Sequence, residues 1–449
     1  MESCSKDHDN CVPSIPTSLP TRVLDVGLGD GSDIVRIRET HSEIGKYAAL
    51  SYCWGGPQPV MLTKGTYMSM TMGFELSTLP MTLRDAVRVT RDLKLNYLWI
   101  DALCIIQDDW KDKEHELAAM AAIYKNAYIT IAASSANTCR EGFLQTRHAR
   151  NSRYPQPTNQ RAWCLQERLL SPRVVMFGTY ELIWQCQKGQ HVAGGTGDSY
   201  LPGSERLNPA FFDPSKSITK EDFYDSWLEI VADYSRRHLS FESDKLVAVS
   251  AIASEFQRLS DGDIYLAGLW KRELIKWLSW MVDPSQLKPF GSQRLMPRPS
   301  KYIAPSWSWA SVNGTVCIGC AWREKQFYAE IIRCGITVLD QSLPTGQVTA
   351  GVLELRGPLK QMRWTGQTHF KLFKETDPNS EALGKAFMDA DESIPDIVYC
   401  LRVYKDSGLI MVEKSDSMTY TRVGRFEVWV VSVCDAWFEG CMVQTIILL

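Results

Sequence analysis

Three short apolar segments, each separated from the next by a helical stripe, constrain this chain most. Tyr47-Ala-Ala-Leu-Ser-Tyr-Cys-Trp-Gly-Gly56 reads as a buried strand running into a Gly-terminated loop. After Pro80-Met-Thr82, residues Leu83, Ala86, Val87 and Thr90 recur at helical spacing, with Thr82 and Asp85 placed as a capping box. Tyr97-Leu-Trp-Ile-Asp101 is a second buried strand. A helix begins after the loop Gln107–Lys113, and its core stripe is Leu117, Met120, Ala121 and Tyr124. Tyr128-Ile-Thr-Ile-Ala-Ala133 is a third strand. Strand, helix, strand in this order calls for crossover connections and a parallel sheet, so residues 45–135 read as α/β.

The flanks are punctuated differently. Residues 1–20 are polar and Pro/Ser-rich, and a short hairpin around Gly29–Gly31 joins Thr21–Val26 to Ile34–Arg38, giving a tail and hairpin over 1–44. Arg161–Arg168 reads as a short helix, and Val174–Phe177 with Glu181–Cys186 as a hairpin, closing a domain over 45–187. Residues 188–220 carry clustered Gly, Pro and Ser and read as a linker or loop. Three helical stripes follow within 221–299: Phe223 to Tyr234, Leu246 to Phe256, and Leu266 to Met281. From 300 to 449 the chain is β-rich, with strands expected at Val352–Leu355, Ile397–Val403, Leu409–Val412 and Arg425–Val433.

Composition excludes several classes. The 449 residues hold 49 Lys+Arg against 52 Asp+Glu, with 45% hydrophobic residues, which argues against disorder and against a basic nucleic-acid binder. No apolar run approaches a membrane span, and the absence of a secretory leader predicts a cytoplasmic protein. In that compartment the 13 cysteines read as buried thiols. Cys317-Ile-Gly-Cys320 lacks a second ligand pair, so no metal site is expected. P-loop, GxSxG and HExxH motifs are absent, and Gly27-Leu-Gly-Asp-Gly-Ser32 precedes a strand rather than a helix, so it fails as a dinucleotide loop.

The chemistry left is polar residues set against apolar strand ends. Asp101 stands at the carboxyl edge of a parallel strand, where open α/β sheets bind ligands. Asp108, Asp109, Asp112 and Glu114 suit a helix first turn, where acids complement the dipole. Glu116 is spaced with Met120, Ile123 and Ala127 and points inward. There it has two readings: a desolvated carboxylate fit for proton transfer, or an inward salt bridge with Arg84 or Arg161. Arg161 and Glu167 read either as a structural pair or as part of a site.

Five blocks in order resemble the heterokaryon-incompatibility (HET) domain of filamentous fungi. They are Tyr47–Gly55, Leu79–Ala86, Tyr97–Asp109, Glu116–Ala133 and Arg161–Ser171. Asp244–Ala253, Tyr265–Trp270 and Ala304–Ala310 resemble the accessory region of such proteins. The resemblance implies nonself recognition with a cell-death response, and a TIR/flavodoxin-like parallel-sheet fold. Some TIR domains self-associate, and others cleave NAD with a helix-borne glutamate; by motif position that residue here is Glu116, with NAD as substrate and no cofactor required. Ser51, Trp54, Gly55, Asp101, Cys104, Gln107, Tyr124, Arg161, Trp163, Gln166 and Glu167 match family motif positions. Implied partners are other incompatibility proteins or a second copy of the chain, with no nucleic acid. Two departures stand out: the connection from Asn137 to Gln160 is short for the family, and no repeat or nucleotide-binding segment is present. An NAD-cleaving effector, a non-enzymatic interaction module and an inactive accessory protein all fit the sequence.

Overall fold

The computed structural model describes Cys4, Cys11 and residues 15–27, 33–146, 156–187, 189–193, 207, 209–212, 216–283, 295–318, 326–364, 384–414 and 418–449. The chain divides into two units, Met1–Thr219 and Lys220–Leu449.

In the first unit the three expected strands form the middle of a nine-stranded sheet. In chain order its strands are β1 (Arg22–Asp25), β2 (Ile34–Glu39), β3 (Tyr47–Ser51), β4 (Phe74–Glu75), β5 (Tyr97–Trp99), β6 (Ile129–Ala132), β7 (Arg173–Phe177), β8 (Leu182–Cys186) and β9 (Gly189–Ala193). Across the sheet they run β9-β8-β7-β6-β3-β5-β1-β2-β4. The neighbours β5, β3, β6 and β7 are parallel. Every pairing outside them is antiparallel. The parallel sheet expected over 45–135 is therefore the centre of a mixed sheet, and the parallel-sheet reading of the whole domain is corrected. Helical crossovers set the parallel centre, whereas the close connections joining β7, β8 and β9 can only return a strand antiparallel. β1 and β2 pair as the expected hairpin; its turn at Gly29–Gly31 lies outside the described residues. β9 falls within the stretch expected to be linker.

Three helices make the crossovers: α1 (Met81–Asp92), α2 (Trp110–Asn126) and α3 (Ala162–Leu170). Every residue of β3 is buried, as expected for a strand covered on both faces. The capping box on α1 does not form. Thr82 Oγ1 instead donates to the Thr138 carbonyl and accepts from the Gly142 amide. Asp85 accepts from the Phe143 and Leu144 amides. The two side chains thus tie down the loop after β6. A single helical turn, Asp101–Cys104, precedes α2, and Asp109 caps α2 by accepting from the Lys111 and Asp112 amides. The buried face of α2 is Glu116, Met120, Ile123 and Tyr124; Leu117 and Ala121 are only half-buried, so the helix is rotated from the expected stripe.

The second unit begins with two of the expected helices, α4 (Lys220–Ser235) and α5 (Val247–Leu259). The third, over 266–281, is absent. Tyr265–Leu266 and Leu269–Trp270 pair as a tight hairpin, followed by one helical turn, Leu274–Trp277, and a strand, Trp280–Val282. Its turn needs positive φ at Ala267 (47°) and Gly268 (100°). The Gly268 carbonyl accepts the indole N–H of both Trp227 and Trp309 at 2.9 Å. A Cβ on Gly268 would meet Trp309 Nε1 at 2.6 Å, so only glycine fits under that ring. Phe223, Trp227, Phe256 and Trp270 pack edge to face around it.

The β-rich region contains β10 (Glu330–Val338), β11 (Val348–Arg363), β12 (Gly384–Met388), β13 (Ile397–Arg402), β14 (Ser407–Glu413), β15 (Thr419–Val428) and β16 (Val443–Leu448). β16 pairs with both β11 and β15, which closes β11, β13, β14, β15 and β16 into a ring. Such closure hides strand edges. The strand expected to reach Val433 stops at Val428. Val431–Phe438 is a helix, α6, whose buried Cys434, Trp437 and Phe438 show helical rather than alternating spacing. Inside this unit Arg422 is fully buried: its Nε lies 2.9 Å from Asp389, and it donates to the carbonyls of Leu278 and Trp280. Its guanidinium also lies 3.6 Å from the centre of the Trp280 ring. Among the described residues no helix is long and apolar enough to cross a membrane. Cys317 lies on a strand, Val316–Ile318; Cys320 lies outside the described residues.

Candidate functional site

The carboxyl ends of β3 and β5 gather the sequence-predicted polar residues. Ser51 ends β3 and is buried, and the chain continues through Tyr52 and Cys53 to Trp54. Trp54 Nε1 donates to Asp101 Oδ2 at 2.8 Å, and the Ala102 amide donates to Asp101 Oδ1 at 2.7 Å. Gln107 Nε2 donates to the Asp101 carbonyl, holding the turn after β5. Arg161 precedes α3 and donates from Nη1 to the Tyr52 carbonyl at 2.8 Å. One turn into α3, Cys164 and then Glu167 extend the cluster inward. Gly55 has φ +68°, and a Cβ there would lie 2.4 Å from Thr138, so this approach of two loops needs glycine. Trp54, Asp101 and Arg161 are half-buried and form the rim; Ser51, Tyr52, Cys164 and Glu167 are buried and form the floor.

Electrostatics separates rim from floor. Glu167 is only 6% exposed. Burial pushes its carboxyl up to about 7, with Ser51 opposing, Asp101 adding and Arg161 opposing. Glu167 Oε2 and Gln166 Oε1 have no hydrogen-bond partner among the described residues. Asp101 is raised by burial, offset by Trp54, the Ala102 amide, Arg161 and Tyr52. Burial alone would lower Arg161, but Cys164, Glu167, Cys53 and Asp101 hold it above the usual arginine value. Burial raises Cys53 to about 11 and drives Cys164 well up, so neither is a ready thiolate. A carboxyl titrating near neutrality beside a half-buried acid and an arginine can move a proton or stabilise a developing cation.

Glu116 belongs to a different group. Its side chain is 1% exposed and 3.6 Å from Arg22 Nη2. The sequence-based partners Arg84 and Arg161 are thus replaced by Arg22. Arg22 also donates to both oxygens of Asp112 at 2.7 and 2.6 Å and to the Cys104 carbonyl. Burial raises the Glu116 carboxyl, with Thr21 and Arg22 opposing. Glu116 lines an open groove of about 420 Å³ with Glu39, His41 and Tyr47. The remaining motif positions build structure. Cys104 is buried, and that burial raises its thiol to about 12. Tyr124 donates to the Leu50 carbonyl and stands edge-on to Trp99. Trp163 is half-buried at the start of α3.

Arg22, Asp112, Tyr52 and Cys164 were missed as site residues. Asp112 stands four before Glu116 and so shares its helix face, a signal present in the sequence. Arg22 carries no such signal, because strand pairing brings it to α2 from 90 residues away. A second cavity of about 310 Å³ opens at the carboxyl ends of β6 and β7, lined by Ser135, Glu141, Phe143, Gly178 and Thr179. The loop that lines it is tied to the rim, since the Cys139 amide donates to the Trp54 carbonyl.

Residues 47–163 match the family model described as Heterokaryon incompatibility protein (HET). No curated protein and no solved structure matches the chain.

Proposed function

We propose, from the premise that this is a HET-domain protein with a heterokaryon incompatibility-related function, that its HET domain triggers cell death by hydrolysing NAD. The observation that carries this reading is the meeting of Asp101, Arg161 and Glu167 at the carboxyl ends of parallel strands. The remote TIR resemblance points instead to Glu116, which stands in the separate Arg22 group. In NAD hydrolysis the bond from ribose C1′ to the nicotinamide nitrogen breaks, and its electron pair leaves with nicotinamide. The ribose gains oxocarbenium character, and water forms the new C1′–O bond while losing a proton. Asp101 at the rim stabilises the developing cation, and Glu167, titrating at about 7, takes the proton from water. NAD enters as substrate, with no resident cofactor required. The cavity of about 310 Å³ at the carboxyl ends of β6 and β7 lies at the small end of ligand sites, and neither Asp101, Arg161 nor Glu167 lines it.

One observation favours a second reading, a non-enzymatic module that pairs with other incompatibility proteins or with its own copy. Asp101 and Arg161 already have partners inside the domain, as residues that only build a fold would. Expression of wild type, Glu167→Gln, Asp101→Asn and Glu116→Gln in hyphae, with cellular NAD and viability followed together, decides between the two. NAD loss that fails in Glu167→Gln and Asp101→Asn but persists in Glu116→Gln supports the proposal. Failure in Glu116→Gln alone moves the chemistry to the Arg22 group. Death without NAD loss in every variant overturns the hydrolase and leaves the interaction module.

A further inference from the structure

Two cysteines of the amino-terminal segment and a third distant in sequence come together in the first unit. The Sγ atoms of Cys4, Cys11 and Cys186 all lie within 4.8 Å of one another. Cys186 ends β8, and Cys4 and Cys11 come from the segment that the sequence reads as a loose tail. Cys4 and Cys186 are buried and Cys11 is half-buried. We propose that these three thiols are a binding site for a thiophilic divalent ion of the zinc class.

Geometry favours an ion over the alternatives. Three thiolates at about 2.3 Å from a common ion place their sulfurs roughly 3.8–4.0 Å apart, so the trio closes on a metal with small side-chain shifts. A disulfide requires about 2.05 Å, joins only two sulfurs and leaves the third thiol buried. An incoming divalent ion would release one proton from each thiol, leaving three metal–sulfur bonds and a net charge of about −1 on the site. The buried Arg173 stands directly opposite Cys186 in the β7–β8 ladder, on the same face of the sheet. Neither the spacing of Cys4 and Cys11 nor the distant Cys186 makes a sequence motif. The ion would staple the amino-terminal segment to the sheet that carries the HET domain.

The test uses the full chain, purified with reductant, stripped with chelator and titrated with Co(II) without oxygen. The expected result is one Co(II) per chain, a thiolate-to-cobalt charge-transfer band in the near ultraviolet, and displacement by Zn(II). Cys11→Ser, at the half-buried position, should weaken binding by roughly tenfold or more. Cys441→Ser in the other unit should leave binding unchanged. Circular dichroism checks folding; if Cys186→Ser fails to fold, Cys11→Ser alone decides. No band in the wild type, or an equal band in Cys4→Ser/Cys11→Ser, overturns the proposal.

Discussion

Asp389 and Glu167 are both buried carboxylates, one in each unit, and both have an arginine nearby. Asp389 meets Arg422 through both of its oxygens, and that arginine spends its remaining donors on two carbonyls. Glu167 keeps one oxygen without a hydrogen-bond partner among the described residues, and Arg161 directs a donor to the Tyr52 carbonyl. The first arrangement is closed: each charge is answered, and burial still lowers Arg422 because solvent is gone. The second is open, and its acid titrates near neutrality. A closed pair specifies packing, whereas an open acid is a store of chemistry.

The largest expected effect comes from breaking the closed pair. Arg422→Ala leaves Asp389 only the longer contact with Arg298, at 3.8 Å, and should cost about 3–5 kcal/mol in denaturant unfolding of the second unit. Arg422→Met with Asp389→Leu should recover most of that loss; if it does not, the pair is more than a packing device.

Next comes the open acid. Folding raises Glu167 from 4.5 to about 7. Below pH 4.5 both states are protonated and the shift has no effect. As pH rises towards 7 the unfolded chain gives up this proton first, so stability falls by about 3 kcal/mol and then levels. Glu167→Gln should flatten that slope; an unchanged slope would make Glu167 as closed as Asp389.

Smaller effects sharpen the contrast within the first unit. Asp85→Ala leaves the Phe143 and Leu144 amides unpaired and should cost about 1–3 kcal/mol, read as faster hydrogen exchange at those two amides. Glu116→Gln should change stability by about 1 kcal/mol or less, because Arg22 keeps both bonds to Asp112. A large loss there would show that the Glu116 charge itself holds α2.

What the sequence made legible follows from what is local. β3, α1, β5, α2 and β6 have periodicities set by neighbours in the chain, and the order of blocks carries the HET resemblance. The two hairpins were legible, but pairing between distant strands is not local, so their joining to the central sheet was hidden, and with it the arrival of Arg22 beside Glu116. Residues 266–281 misled for another reason: their Leu and Trp spacing fits a helix, yet Gly268 turns the chain, and the buried indoles that bond its carbonyl hold Ala267 at positive φ. Thr82 and Asp85 had the spacing of a cap, but the loop after β6 offered them better partners than the helix end did. Of the candidate site, motif order singled out Asp101, Arg161 and Glu167 one by one, while their convergence and the contrast between rim and floor needed the fold and the burial of each residue.

The distribution of indoles has an optical consequence. Trp227, Trp270, Trp277, Trp280, Trp307 and Trp309 are fully buried in the second unit, whereas Trp99 alone has that status in the first among the described residues. Dry indoles emit at shorter wavelength than wet ones, so the red shift on unfolding will come chiefly from Lys220–Leu449. An emission-monitored melt will therefore trace the Gly268 aromatic nest and pass lightly over the HET domain. The Glu167 titration must be followed at backbone amides, where the first unit has its own voice.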